Sequence, residues 1–282
     1  MKGLALLIGS ALLSLTVPHA AHASTFHQGW NYSIDAFTDG SGGNPYEIRG
    51  LAIKETQDHV YVSVSGGSPL TGNSYHGAAD GNVGWGDLLF NVTGDDINTA
   101  NGSLFGVRFA GTNDSGVDQV GVFGNVTAQS VTQSNAGYQH LKQYYQYGWE
   151  RQNTMGDLTT KQQAYDYMGE TDAVLTSIAD GTLLGSIDFL SDQDAAAAGL
   201  NFGHFDAVGS DTHTFRFNRS LLPGGEFIAT LLMECANDGI ALMGNLNPEH
   251  TTQDVPEPSA VLSFAAVGFL ASLRLRRSES HS

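Results

Sequence analysis

Cysteine and positive charge are both scarce in this chain, and each shortage removes a class of function. A single cysteine, Cys235, in 282 residues excludes an intramolecular disulfide and any Cys-x-x-Cys redox or metal pair. Only 12 Lys and Arg stand against 29 Asp and Glu, a formal net charge of -17. Such a field repels phosphate backbones, so nucleic acid is not an expected partner, and it disfavours direct docking on anionic lipid. Gly-x-Ser-x-Gly, His-Glu-x-x-His, Gly-x-Gly-x-x-Gly and the phosphate-binding P-loop are all missing. No catalytic residue is assigned, and the chain reads as a non-enzyme. A secreted hydrolase remains open only as a pair of carboxylates brought together from distant strands.

The two ends are informative. Lys2 precedes an apolar stretch from Leu4 to Val17, which closes on Ala21-His22-Ala23. A basic start, an apolar centre and a small-x-small close make a secretory signal peptide over 1–23, cut by signal peptidase after Ala23. At the other end Pro256-Glu257-Pro258 precedes an uncharged stretch from Ala260 to Leu273, then Arg274, Arg276 and Arg277. The prolines keep the chain extended and accessible before the apolar helix. That helix would reach roughly 21 Å, short of a hydrocarbon core of about 30 Å, so it crosses only with bilayer thinning and snorkelling arginines. The arginines stay cytoplasmic by the positive-inside rule, which leaves the body outside. Residues 255–277 resemble the PEP-CTERM sorting signal of Gram-negative bacteria. That resemblance implies recognition by a membrane-embedded exosortase, cleavage near Pro256-Glu257-Pro258, and release of the body to the cell surface or extracellular matrix. Membrane contact is then transient, through the C-terminal helix alone.

Without its two ends the chain is more acidic still. From Ser24 to Pro258 it keeps eight basic and 28 acidic residues, a net charge of -20. Residues 24–254 carry short apolar runs separated by Gly, Asn, Asp and Ser clusters, the spacing of an antiparallel β protein. Val60, Val62 and Val64 alternate on one face, and this strand forms a hairpin with Tyr46 to Glu55. Further strands are expected at Trp85 to Val92, around Phe105, Val107 and Phe109, and at Leu183 to Leu190, Thr212 to Asn218 and Phe227 to Cys235. Val117 to Phe123 is expected to pair with Val126 to Val131 across Gly124-Asn125. Asn237-Asp238-Gly239 suits a hairpin turn into Ile240. Residues from about 137 to 181 break the pattern as a Tyr-rich helical insertion, with helices at Thr160 to Met168 and Thr171 to Ala179. Ser191-x-x-Asp194 predicts a capped helical turn. The expected fold is an all-β, antiparallel, jelly-roll-like β-sandwich with this short helical insertion. Gly29-Trp30-Asn31-Tyr32-Ser33-Ile34-Asp35, Tyr46-Glu47-Ile48-Arg49-Gly50-Leu51-Ala52, Trp85-Gly86-Asp87-Leu88-Leu89-Phe90-Asn91 and Glu234-Cys235-Ala236-Asn237-Asp238 resemble the XDD-type exosortase-dependent surface proteins. The resemblance implies architecture and export route, not an activity.

Four clusters could bind something. Asp35 and Asp39 flank the entry to a Gly-rich loop that has no apolar residue to bury between Gly40 and Asn44. A hard cation such as calcium suits that mixture of carboxylates and carbonyls, and neither aspartate is expected in the core. Asp95-Asp96-x-Asn98-x-x-Asn101 is a second such cluster, read as a solvated turn. His204, Asp206, Asp211 and His213 could serve zinc, but surface polarity around a strand connection accounts for them. Tyr138, Tyr144, Tyr145, Tyr147, Trp149, Tyr165 and Tyr167 could stack sugar rings or pack the insertion onto the sandwich. Cys235 reads as a small buried hydrophobe in a strand. The leading expectation is an exported structural or adhesive component of the surface or biofilm matrix. A carbohydrate-binding module for exopolysaccharide is the alternative.

Overall fold

The computed structural model describes residues 25–37, 39–148 and 154–251. Both end signals, with Ala21, Ala23, Pro256, Glu257, Pro258, Arg274, Arg276 and Arg277, lie outside the described residues, as does Trp149. Four strands open the chain: β1 (Thr25–His27), β2 (Trp30–Ile34), β3 (Ile48–Glu55) and β4 (His59–Gly66). A short pair follows, β5 (Asn73–Ser74) and β6 (Asn82–Val83). A second meander runs through β7 (Leu88–Asn91), β8 (Leu104–Arg108), β9 (Gly121–Gln129) and β10 (Ser177–Gly185). Then β11 (Asp188–Phe189) and β12 (Asp211–Asn218) join the first sheet, while β13 (Gly225–Leu232) and β14 (Gly239–Leu246) join the second. The result is two six-stranded sheets, ordered β1-β2-β3-β4-β12-β11 and β10-β9-β8-β7-β13-β14, all of whose strand pairs are antiparallel. Four helices decorate them: α1 (Ile97–Ala100), α2 (Leu141–Gln143), α3 (Lys161–Met168) and α4 (Asp192–Ala197). No described helix is long and apolar enough to cross a membrane.

Period-two alternation builds this all-β sandwich. Leu51 and Ile53 of β3 and Val60, Val62 and Val64 of β4 face Leu88, Phe90, Val107, Ala229, Leu231, Ile240 and Leu242 of the second sheet in one buried core. The intervening residues of the second sheet, Leu89, Leu104, Leu232 and Ala241, face the other way. They are covered by Leu141, Tyr144, Met155, Leu158, Ala164 and Met168 of the insertion. On the outer side of the first sheet, Trp30, Tyr32 and Ala52 pack under Phe202 and Ala207. Each sheet is therefore covered on both faces over part of its area, which explains why the alternation is not cleanly apolar and polar.

Several expectations hold and three are corrected. The β3–β4 hairpin forms in the register Leu51↔Val64 and Ile53↔Val62. The helix at α3 starts from a capping box between Thr160 and Gln163. The Ser191 side chain caps α4, accepting from the backbone N–H of Asp194. However, Gly124-Asn125 does not turn the chain: β9 runs straight through it. Asn125 takes a positive φ of 50°, and the pairing with β8 shifts between Leu104 and Gly106. The two residues are absorbed as a bulge rather than a hairpin. The second insertion helix, Thr171 to Ala179, is also absent. Val174 and Leu175 are buried against the second sheet, Thr176 donates to the Gln129 carbonyl, and β10 begins at Ser177. The long-range ladder to β9 overrides helical propensity there. Cys235, finally, lies past the end of β13 in the turn to β14, though it is buried as expected.

Candidate functional site

Four of the eight buried charged residues described are occupied as internal struts. Arg108 donates to the Asn113 side chain and to the carbonyls of Gly111, Asn113 and Val117. Asp87 accepts from Asn113, Ser115 and the backbone N–H of Ile178, at 2.7 to 2.8 Å. Burial raises the Asp87 pKa, and those hydrogen bonds oppose the rise. Arg219, 1% exposed, pairs with Glu55 and donates to the carbonyls of Leu222 and Asn247. Glu234 accepts from the backbone N–H groups of Gly84 and Asp114. In each case a charge is used to hold loop backbone in place.

One cluster is different. Asp39, Glu47 and Asp238 place one carboxylate oxygen each within 4.8 Å of one another, and all three are buried. Asp35, 5% exposed, is a further buried carboxylate four residues before Asp39, and its Oδ1 accepts from Gly156 N–H. The expectation that Asp35 and Asp39 lie outside the core is therefore wrong. Asp35 follows β2 directly, and the loop after it buries Asp39, Gly40 and Glu47 while leaving Phe37 and residues 42–45 exposed. That path depends on Gly40, where a Cβ would stand 2.9 Å from the Glu47 Cα. It depends also on Gly42 and Gly43, at φ of 104° and 86°.

Three chain segments meet here. The loop between β2 and β3 supplies Asp35, Asp39 and Glu47. The turn between β13 and β14 supplies Asp238, whose two oxygens accept from Ile48 N–H at 2.6 Å and Gly239 N–H at 2.7 Å. Ser41 and Asn237 exchange two further bonds across the same junction, N–H to carbonyl at 2.9 Å and side-chain amide to carbonyl at 2.7 Å. The third segment leaves the insertion: Gly156 N–H donates to Asp35 Oδ1 at 3.2 Å, and Gly156 forms a parallel bridge to Ala241 of β14. Tyr144 and Tyr145 stand close enough to feel the Asp35 and Asp39 charges.

The electrostatics are those of crowded like charges in a dry place. Burial, and then the Asp39 charge, raise the Asp35 carboxyl well above the ordinary range. Burial, and then Asp35 and Asp39, do the same for Asp238. Asp39 is raised to about 7, by burial first and by Glu47 second. Among the described residues, the three ion pairs join Lys142 to Glu170, Arg216 to Asp188 and Arg219 to Glu55, and none reaches this cluster. Both oxygens of Asp39 and Oδ2 of Asp35 are buried with no hydrogen-bond donor. Oxygen-only, carboxylate-rich surroundings of this kind suit a hard cation.

The other clusters are not assembled. Asp96 caps α1, accepting from Asn98 and Thr99 N–H, while Asn101 bonds the backbone of Ala128. His204 stacks on His27 at 4.0 Å, whereas His213 lies 2.9 Å from the Ser68 carbonyl and edge-on to Trp85. The insertion's tyrosines form an edge-to-face chain, Tyr138, Tyr144, Tyr145 and Tyr165, with centroids 4.9 to 6.3 Å apart. Tyr144 and Tyr167 are buried, and of the described tyrosines in this stretch only Tyr147 is largely exposed, at 66%. The set packs the insertion and presents no aromatic row. Glu47 and Asp238 carry no local signal of a site: one precedes a strand and the other sits in a hairpin turn, and only the topology joins them. No family model, curated protein or solved structure matches the chain.

Proposed function

We propose that this chain is an exported structural or adhesive component of the cell surface or biofilm matrix, without catalytic activity. In this reading signal peptidase and exosortase release the body from its two terminal signals. The observation that supports it is the use of buried charge. Asp87, Arg108, Arg219 and Glu234 are each engaged by hydrogen bonds that fix loops to the sandwich. A catalytic acid or base must keep an atom within reach of substrate, whereas a charge tied up in loop backbone serves rigidity. Loops pinned in this way stand in for the disulfides that an exported body with one cysteine lacks.

Mass spectrometry of the surface-extracted protein tests the export route. The mature form is expected to begin near Ser24 and to lack Ala260 to Ser282. An intact C-terminus on surface protein would leave a simple anchor and overturn sorting. A glycan array run on the same material tests the role, and binding abolished by Tyr147→Ala would favour the saccharide reading instead.

A further inference from the structure

Asp39, Glu47 and Asp238 gather three buried carboxylates in one place, and no ion pair among the described residues reaches Asp39, Asp238 or the neighbouring Asp35. Acidic residues crowd many surfaces without consequence, but these are at most 7% exposed. Asp39 is buried with neither oxygen hydrogen-bonded, and Asp35, from a separate position four residues earlier, has a second buried oxygen in the same condition. Left without a partner, each such group costs free energy through lost hydration and through repulsion by its neighbours. By contrast the buried carboxylates of Asp87 and Glu234 have their donors. The cluster is built to receive something positive.

We propose that Asp39, Glu47 and Asp238 form a calcium site, with Asp35 the buried carboxylate beside it, that clasps the loop between β2 and β3 to the turn between β13 and β14, tying the two sheets together at one end of the sandwich. Two oxygens bound to one calcium at 2.3–2.6 Å lie at most about 5 Å apart, so the spacing within 4.8 Å lets Asp39, Glu47 and Asp238 face a single ion. Calcium takes about six to eight oxygens in irregular geometry, and the three carboxylates supply one converging oxygen each toward that shell. Zinc prefers nitrogen and sulfur, and the converging ligand atoms here are all carboxylate oxygens. Magnesium demands a tight octahedron and keeps several of its waters, which suits a buried all-carboxylate pocket poorly. The site goes beyond the surface role proposed above and does not depend on it.

The test uses the whole chain purified in detergent, stripped with chelator, and titrated with calcium chloride. Terbium is the first probe, because Tyr144 and Tyr145 are placed to sensitise an ion held by Asp39. Tyrosine-excited terbium emission is expected, displaced by calcium but not by an equal concentration of magnesium. Calcium at a hundredfold excess over its Kd is expected to raise the melting temperature by about 5 to 10 °C. Asp39→Asn is expected to weaken calcium binding at least tenfold and, because it relieves repulsion, to melt higher than the parent protein in chelator. Glu47→Gln serves as the second variant should Asp39→Asn fail to fold. Identical melting in chelator and millimolar calcium, with no terbium emission, would overturn the site. Equal stabilisation by magnesium would overturn its assignment to calcium.

Discussion

Arg219 offers the sharpest test of the idea that buried charge here is architectural. Its guanidinium pairs with Glu55 at the end of β3 and holds the carbonyls of Leu222, at 2.6 Å, and Asn247, at 2.9 Å. Glu55 in turn accepts from Asn247 N–H at 3.0 and 3.1 Å, so one cluster fixes three chain segments. Arg219→Ala removes the donor side and leaves a mostly buried carboxylate facing two orphaned carbonyls. Breaking a buried pair in this way costs about 3 to 5 kcal/mol, and the residual exposure of Glu55, at 17%, points to the lower half of that range. With a urea dependence of about 2 to 3 kcal/mol per molar for a body of this size, the midpoint should fall by about 1 to 2 M at unchanged slope. Arg216→Ala is the control. Its pair with Asp188 is longer, 3.7 Å, and solvent-exposed, so it should cost less than about 1 kcal/mol. Adding Glu55→Gln to Arg219→Met should return much of the loss, because no charge is then buried alone. Urea melts followed by tryptophan fluorescence decide the matter. A cost for Arg219→Ala no greater than that for Arg216→Ala would refute the strut.

Two further predictions concern other parts of the body. Glu234 is raised to about 7, chiefly by burial, against an ordinary 4.5. The fold thus favours its protonated form, so the group's stabilising contribution is full below pH 4.5 and is lost as pH rises through 7, a change of about 3 kcal/mol. A carbon-13 NMR titration, with Glu234→Gln for assignment, should give a midpoint near 7, and a midpoint near 4.5 would remove the effect. Gly67→Ala should be strongly destabilising, by more than about 2 kcal/mol, because its Cβ would stand 1.5 Å from the Asn44 carbonyl oxygen. Gly94→Ala meets nothing within 4 Å and should cost only its positive-φ strain, about 1 kcal/mol. Thermal melts of both variants check the contrast, and equal losses would contradict it.

What could be read from the sequence was what neighbouring residues determine. The valines of β4 specify a strand because alternation is local, and Ser191 with Asp194 specifies a cap because both lie within one turn. Asp35 and Asp39 were legible as a candidate cation pair through their spacing around glycine, but their burial was not. That burial depends on the turn between β13 and β14 reaching across to the start of β3, a contact between residues 190 positions apart. Glu47 and Asp238 were hidden for the same reason. The region after α3 misled because Val174 to Ala179 carries no strong local preference and is claimed by β9, far away in sequence. Long-range pairing, not composition, decided each of these segments.

The margins of the two sheets bear on how such a body can be crowded at high concentration without polymerising. A free sheet margin is a template on which another copy can add a strand. In the first sheet the outermost strands are three and two residues long, β1 and β11, too short to seed a ladder. In the second, the pairing of β10 with β9 shifts register three times, which spoils a flat margin. Only β14 is long and regular, and its backbone is already engaged. Ala241 N–H donates to Met155, its carbonyl accepts from Asp157 N–H and the Ser33 hydroxyl, and Met243 bonds the side chains of Asp157 and Asn31. The segment after the insertion thus works as a stopper on the one margin that could otherwise recruit a neighbour. Densely packed copies are left to meet through side chains rather than through shared strands.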